Sequence, residues 1–113
     1  MSVVVFLASA LLCIDAQCYP ALVGKTTPTG HFALHRRYVD AKGYGGDVMQ
    51  FLETRRDIFA IHRVWLGRPR ERRAQRLASG KVADRRFVTN GCINITSEVY
   101  ERILGATEVE IRP

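Results

Sequence analysis

Many of the patterns that mark common functions are missing from this chain. Its 113 residues include only three cysteines, Cys13, Cys18 and Cys92. No CxxC pair occurs, and Cys13 and Cys18 lack the partner pairs of a zinc site. No apolar run is long enough to span a bilayer. The glycine-rich stretch 40–47 (DAKGYGGD) lacks the Lys-Ser/Thr ending of a phosphate loop and the spacing of a dinucleotide fingerprint. There are no internal repeats, linkers or low-complexity tracts. The basic residues come without zinc-finger spacing, an RNP-type aromatic motif or a basic heptad zipper, so nucleic acid is not the expected partner.

What is present fits one globular domain over residues 1–113. The apolar fraction of 47% and charged fraction of 25% are ordinary for a folded soluble chain, which excludes disorder. The formal charge is +6. Much of the excess sits in RPRERRAQR (68–76) and in Arg85 and Arg86, as a solvated face or a site for an anionic partner. The apolar opening lacks the basic n-region of a leader and meets Asp15 early, so it reads as strands.

Strand signals dominate. Val3 to Leu7 is β-branched and aromatic, and Leu11 to Ile14 follows. LLCID and QCYPALVG read as a hairpin around Asp15 and Ala16. A two-residue loop pairs Ile14 with Gln17 and Cys13 with Cys18 in a close, non-hydrogen-bonded pair. A cross-strand disulfide and two reduced cysteines both fit that placement. His31 to Arg36 resumes a strand and puts His31 and His35 on one face, without a third metal ligand. VMQFLET and DIFAIHRVW are two further strands around Arg55–Asp57. Glu71 to Ser79 is helical in composition, with Gly80 as its stop, and Thr96 caps a helix over VYERILG. Val109 to Arg112 is a last short strand. The fold class is mainly β, a sandwich or partly closed barrel with one or two short helices.

FVTNGCINI (87–95) interrupts its own strand with Thr89, Asn90, Gly91, Cys92 and Asn94. Cys92 is either a small core residue or a nucleophile. A nucleophile needs a base, since a free thiol has a pKa of about 8.5. His62, in IFAIHRVW, sits in a strand able to lie beside that of Cys92. Gly91 allows a sharp turn that aims amides at one point, as an oxyanion hole requires. Thr89 or Asn94 is placed to hydrogen-bond across that turn.

TNGCIN (89–94) resembles the Ser/Thr-x-Gly-Cys-hydrophobic-Asn/Arg signature of the YkuD family of L,D-transpeptidases. TPTGHF (27–32) is similar to that family's TPxGxF element, and IHRVW places His62 where the family keeps its catalytic histidine. The three occur in family order over residues 27–94. Two features depart from the pattern. Asn90 stands where the family often has histidine, and the gap between His62 and Cys92 is longer, filled by the arginine-rich segment as a lid or cleft wall.

The resemblance implies a catalytic Cys92 with His62 as base, the base oriented by a backbone carbonyl. It implies a nucleophile loop of Thr89, Asn90, Gly91 and Asn94, with oxyanion donors at Gly91 and Cys92. Arg86, Tyr44 and Gly30 are the expected substrate-binding residues, with Trp65 either lining the cleft beside Tyr44 or packed in the core. The implied substrate is the tetrapeptide stem of peptidoglycan, and no metal or cofactor is called for. The setting is the periplasm or cell envelope. Three outcomes follow from one thioester: 3-3 cross-linking, D-amino-acid exchange or L,D-carboxypeptidase hydrolysis. An antibacterial effector using the same chemistry, with an immunity protein as partner, and a non-catalytic wall-binding module are the alternatives.

Overall fold

The strand pattern read from the sequence becomes two stacked sheets in the computed structural model, which describes all residues 1–113. The first sheet contains β1 (Val3–Phe6), β2 (Leu11–Ile14), β3 (Gln17–Pro20), β4 (Gly30–Ala33) and β9 (Glu108–Arg112), in the order β3-β2-β1-β9-β4. The second contains β5 (His35–Tyr38), β6 (Asp47–Glu53), β7 (Ile58–Arg63) and β8 (Ile93–Ile95), in that order. Three short helices complete the chain: α1 (Arg73–Leu77), α2 (Val82–Arg85) and α3 (Ser97–Arg102). The result is a β-sandwich and not a closed barrel.

Each sheet is assembled by local chemistry. β2 and β3 form the expected hairpin, with Ile14 opposite Gln17 and Cys13 opposite Cys18. Asp15 takes a φ of +52°, which Asp tolerates in a tight turn. Of the two states open at Cys13 and Cys18, the structure has the disulfide. β9 alternates Val109 and Ile111 inward with Glu108, Glu110 and Arg112 outward. It lies between β1 and β4, parallel to β1 and antiparallel to β4. The last segment of the chain is therefore central to its sheet. α3 starts at Thr96, whose side chain accepts from the Val99 N–H at 3.3 Å.

The core lies between the sheets. Val3, Val5, Leu12, Val109 and Ile111 of the first sheet face Met49, Phe51, Ile61, Ile93 and Ile95 of the second, with Tyr100 and Ile103 from α3 and its end. Burying each large apolar side chain contributes about 1.5–3 kcal/mol. These contacts fix β7 and β8 side by side.

The structure corrects four expectations. The strand expected over His31 to Arg36 breaks at Leu34, which is buried and donates its N–H to the Thr107 carbonyl. The chain changes sheets there, so His31 and His35 belong to different sheets. In QCYPALVG the strand stops at Pro20, and Ala21–Gly24 crosses to the second sheet, where Leu22 bridges Asn94 and Gly24 bridges Thr89. In FVTNGCINI only Ile93–Ile95 is strand. The helix expected over Glu71 to Ser79 is a 3-10 turn (Pro69–Glu71) followed by α1, separated by Arg72 at φ +51°, and α2 adds a helical turn beyond Gly80.

Candidate functional site

The turn carrying Cys92 is held by hydroxyls. Thr89 Oγ1 donates to the Cys92 carbonyl at 2.6 Å and accepts from the Gly91 N–H at 3.1 Å. Thr26 Oγ1 donates to the Asn90 carbonyl and Thr27 Oγ1 to the Gly91 carbonyl, each at 2.9 Å. Three successive carbonyls are thus each taken by a threonine. Thr27 is itself fixed by accepting the Gly24 N–H at 2.9 Å. Thr26 and the following TPTG stretch (27–30) therefore buttress the loop that carries Cys92. Gly30 of that stretch lies at the start of β4 and lines neither of the cavities described below.

Two glycines are required here. Gly91 has φ +127°, and a Cβ there would lie 2.4 Å from a Phe59 ring carbon. At Gly24 a Cβ would lie 2.5 Å from both the Gly91 nitrogen and the Thr89 carbonyl oxygen, so strand and loop approach backbone to backbone. Of the two amides expected as oxyanion donors, only one is unengaged. The Gly91 N–H is spent on Thr89, whereas the Cys92 N–H donates to no group of the chain.

His62 reaches the same place from β7. β7 and β8 run parallel, with His62 opposite Asn94, so Cys92 enters β8 beside the histidine's strand. The ring is 2% exposed. Its Nδ1 donates to the Arg63 carbonyl at 2.6 Å, and the Tyr44 ring packs edge-on at 4.8 Å between centroids. Asn94, fully buried, turns away from the loop and sets its Nδ2 3.5 Å from His62 Nε2. Of the two residues considered for bonding across the turn, Thr89 does so.

The electrostatics favour two neutral partners at rest. Burial, aided by the nearby Arg73 charge, brings His62 down to about 4 despite the Arg63 carbonyl. Burial pushes the Cys92 thiol up, as does Asp57, while a backbone hydrogen bond from Ala60 and the Arg73 charge pull it back. The thiol points its proton at the Ile58 carbonyl, 3.7 Å away.

Two cavities meet at this pair. One, of about 430 Å³, is mostly apolar and includes Tyr38, Val48, Ile58 and Ala60 in its wall. The other, of about 270 Å³, is polar and includes Asp57, Trp65, Arg68, Glu71, Arg73 and Asn90. Cys92, His62, Tyr44 and Ile58 line both. The arginine-rich segment forms one wall of the polar cavity. Of the two placements open to Trp65, the structure has the cleft: it is half-buried on that wall, with its Nε1–H on the Lys42 carbonyl and Arg73 stacked 5.1 Å over its ring. Arg86 lies outside both cavities, over the exposed Phe87 ring.

Sequence reasoning missed Arg73, which donates to Asn94 Oδ1 at 3.1 Å and to Glu71 Oε1 at 2.7 Å. Its only signal was membership of a long run of arginines. It also missed the roles of Thr26 and Thr27, whose carbonyl partners lie 64 residues further on.

No family model and no curated protein sequence matches this chain. Among solved structures, the L,D-transpeptidase of Xylanimonas cellulosilytica is similar in fold, with a TM-score of 0.58 at 15% sequence identity. The similarity covers 97% of this chain and 59% of that one. The chain thus spans a little over half the length of the structure it matches, and at this identity the likeness is one of fold.

Proposed function

We propose that this chain is a cysteine-dependent L,D-transpeptidase acting on peptidoglycan stem peptides, with Cys92 as nucleophile and His62 as base. The observation that carries this reading is that the Cys92 thiol and the His62 imidazole both line the junction of two cavities, Cys92 at the entry to a strand that runs parallel to that of His62, in an L,D-transpeptidase-like fold. Because Nδ1 is committed to the Arg63 carbonyl, Nε2 is the nitrogen that takes a proton in this reading, its lone pair exchanging the long 3.5 Å contact with the Asn94 amide for the thiol proton.

In this reading Sγ attacks the carbonyl carbon that precedes D-alanine in a tetrapeptide stem, and its proton passes to Nε2. The oxyanion faces the Cys92 N–H. Collapse breaks the C–N bond, and D-alanine leaves with the proton returned from His62, giving a thioester. An amine of a second stem, a D-amino acid or water then displaces Sγ, giving a cross-link, an exchange or a hydrolysis. Two cavities joined at the nucleophile provide room for the acyl donor on one side and the acceptor on the other. Tyr44, edge-on to the base and lining both, is the side chain best placed to contact substrate. The setting is the periplasm or cell envelope, since that is where the substrate lies. No helix of the chain is long and apolar enough to cross a membrane.

The test is incubation with purified tetrapeptide muropeptides, followed by mass spectrometry for D-alanine release and a covalent adduct. Wild type should give both, and Cys92→Ala neither. Identical behaviour of the two proteins would refute the enzymatic reading and leave wall binding without chemistry, and product masses separate the three outcomes. The effector reading uses the same chemistry and differs only in whose wall is attacked.

A further inference from the structure

Asn94 is read by two groups that can only donate. The Trp65 backbone N–H and Arg73 Nη1 converge on one side-chain atom of Asn94, at 3.2 and 3.1 Å. That atom must be the oxygen. The amide nitrogen is then the atom facing His62 Nε2, and an N–H can only meet a lone pair there. On the other side of the ring, the Arg63 carbonyl can only accept, so Nδ1 must carry the hydrogen. The two ends of the network agree on a single tautomer, Nδ1–H with a bare Nε2.

Arg73 is the member of this network that comes from outside the sheet. It sits at the start of α1, with its side chain 11% exposed. It is fixed on three sides, by Glu71 Oε1 at 2.7 Å, by the Trp65 ring beneath it and by Asn94. Trp65 is pinned in turn. A Cβ on Gly43 or Gly67 would lie 2.6 or 2.2 Å from its ring, and its indole N–H reaches the Lys42 carbonyl. The segment between β7 and β8 thus delivers one guanidinium to the back of the amide that meets the base.

We propose that Arg73 is a positioning residue: together with the Trp65 N–H it holds Asn94 Oδ1, and so keeps the Asn94 amide nitrogen, not its oxygen, facing His62 Nε2. An arginine suits this task because its planar fork can bond Glu71 and Asn94 while its face stacks on Trp65, which a lysine cannot do at once. The catalytic part of this inference rests on His62 acting as base, whereas the positioning part stands without it.

The experiment compares wild type with Arg73→Gln, Arg73→Lys and the control Arg70→Ala, an exposed arginine of the same segment. Protein labelled with 15N at histidine is examined by NMR, alongside D-alanine release from tetrapeptide muropeptides. The wild-type His62 ring should show a protonated Nδ1 and an unprotonated Nε2. Arg73→Gln leaves Asn94 Oδ1 to the Trp65 N–H alone, so it should let the amide turn and shift the His62 Nε2 resonance, while Nδ1 stays protonated on the Arg63 carbonyl. It should also lower kcat by about tenfold to a hundredfold, as small misplacements of catalytic groups do. KM should change much less. Arg73→Lys should fall between, and Arg70→Ala should match wild type in both readouts. An unchanged His62 signature in folded Arg73→Gln would overturn the proposal, as would a rise in KM alone, which is the mark of a substrate-binding arginine. A shifted His62 Nε2 resonance in Arg73→Gln, with a wild type that releases no D-alanine, would uphold the positioning role and refute the catalytic reading instead. If Arg73→Gln does not fold, Arg73→Lys decides by the same signature.

Discussion

Replacing Asp47 with alanine should cost more stability than any surface change. Asp47 is 3% exposed and holds three partners: Arg63 Nη1 at 2.7 Å, Arg36 Nε at 2.9 Å and the Tyr100 hydroxyl at 3.0 Å. Tyr100 is fully buried, and the Arg63 guanidinium stacks 4.3 Å over its ring. Removing the carboxylate strands a buried hydroxyl and a cation whose side chain is 17% exposed. Removing one partner of a buried pair costs about 3–5 kcal/mol. Arg63 keeps the exposed Glu101 at 2.9 Å, which places Asp47→Ala near the low end, at about 3 kcal/mol. Since a whole domain has about 5–15 kcal/mol, urea denaturation should show a large fall in midpoint at an unchanged slope.

The pH dependence follows from the same contacts. Burial works against the Asp47 charge, but the hydrogen bonds from Arg63, Arg36 and Tyr100 outweigh it, so its carboxyl stays below the ordinary aspartate range. On acidification the unfolded chain takes up this proton first, at a pKa of about 3.9. The stabilisation is therefore full above that value and is lost as pH falls toward the lower folded value. Wild type should lose stability below about pH 4 more steeply than Asp47→Asn. A loss under about 1 kcal/mol in Asp47→Ala, or identical acid profiles for wild type and Asp47→Asn, would refute this account of the network.

Three further outcomes are expected. Gly91→Ala combines a backbone conformation reserved for glycine with a Cβ 2.4 Å from the Phe59 ring, and should cost about 2–5 kcal/mol in chemical denaturation; a cost under 1 kcal/mol would mean the loop has room to move. Reducing the Cys13–Cys18 disulfide, or replacing both residues with serine, releases a short loop with a sequence separation of 5, and should lower stability by about 2 kcal/mol while leaving muropeptide turnover unchanged. Alkylation of Cys92 by iodoacetamide should be slower at pH 7 than that of a free cysteine, and should keep rising with pH beyond the ordinary thiol range, because burial raises the thiol and His62 is neutral. A plateau already reached below pH 7 would reveal a resting thiolate–imidazolium pair and refute the neutral assignment.

How much of this was legible from sequence depended on the range of the interaction. The hairpin at Asp15, the Thr96 cap and the alternation of β9 are settled within a few residues, and their signals are local. The placing of His62 beside the Cys92 strand was legible because both lie in β-branched runs, which favour pairing. The sheet switch at Leu34 was not, because it depends on a bond to Thr107. The helix over Glu71 to Ser79 broke at Arg72, where composition gave no breaker to read. Arg86 and Arg73 are the same residue type in the same basic region. Only the path of the chain between β7 and β8 puts Arg73 in the cavity and Arg86 on the surface.

Thr26, TPTG (27–30) and TNGC (89–92) form one hydrogen-bonded unit. Thr26 and Thr27 take the carbonyls of Asn90 and Gly91, Thr89 takes that of Cys92, and Gly24 lets the two backbones close to within bonding range. A loop with three successive carbonyls satisfied from behind has little freedom to turn them toward the cavity. The unsatisfied Cys92 N–H is what remains for a ligand. The unit also explains why the loop tolerates asparagine at position 90. The Asn90 contribution to the buttress is its backbone carbonyl, which any residue supplies, while its side chain is left to line the polar cavity. The spacing that matters in this chain is therefore not the sequence interval from His62 to Cys92, which the arginine-bearing segment fills. It is the register by which Gly24 meets Thr89 across an isolated bridge and His62 meets Asn94 across the β7–β8 pair.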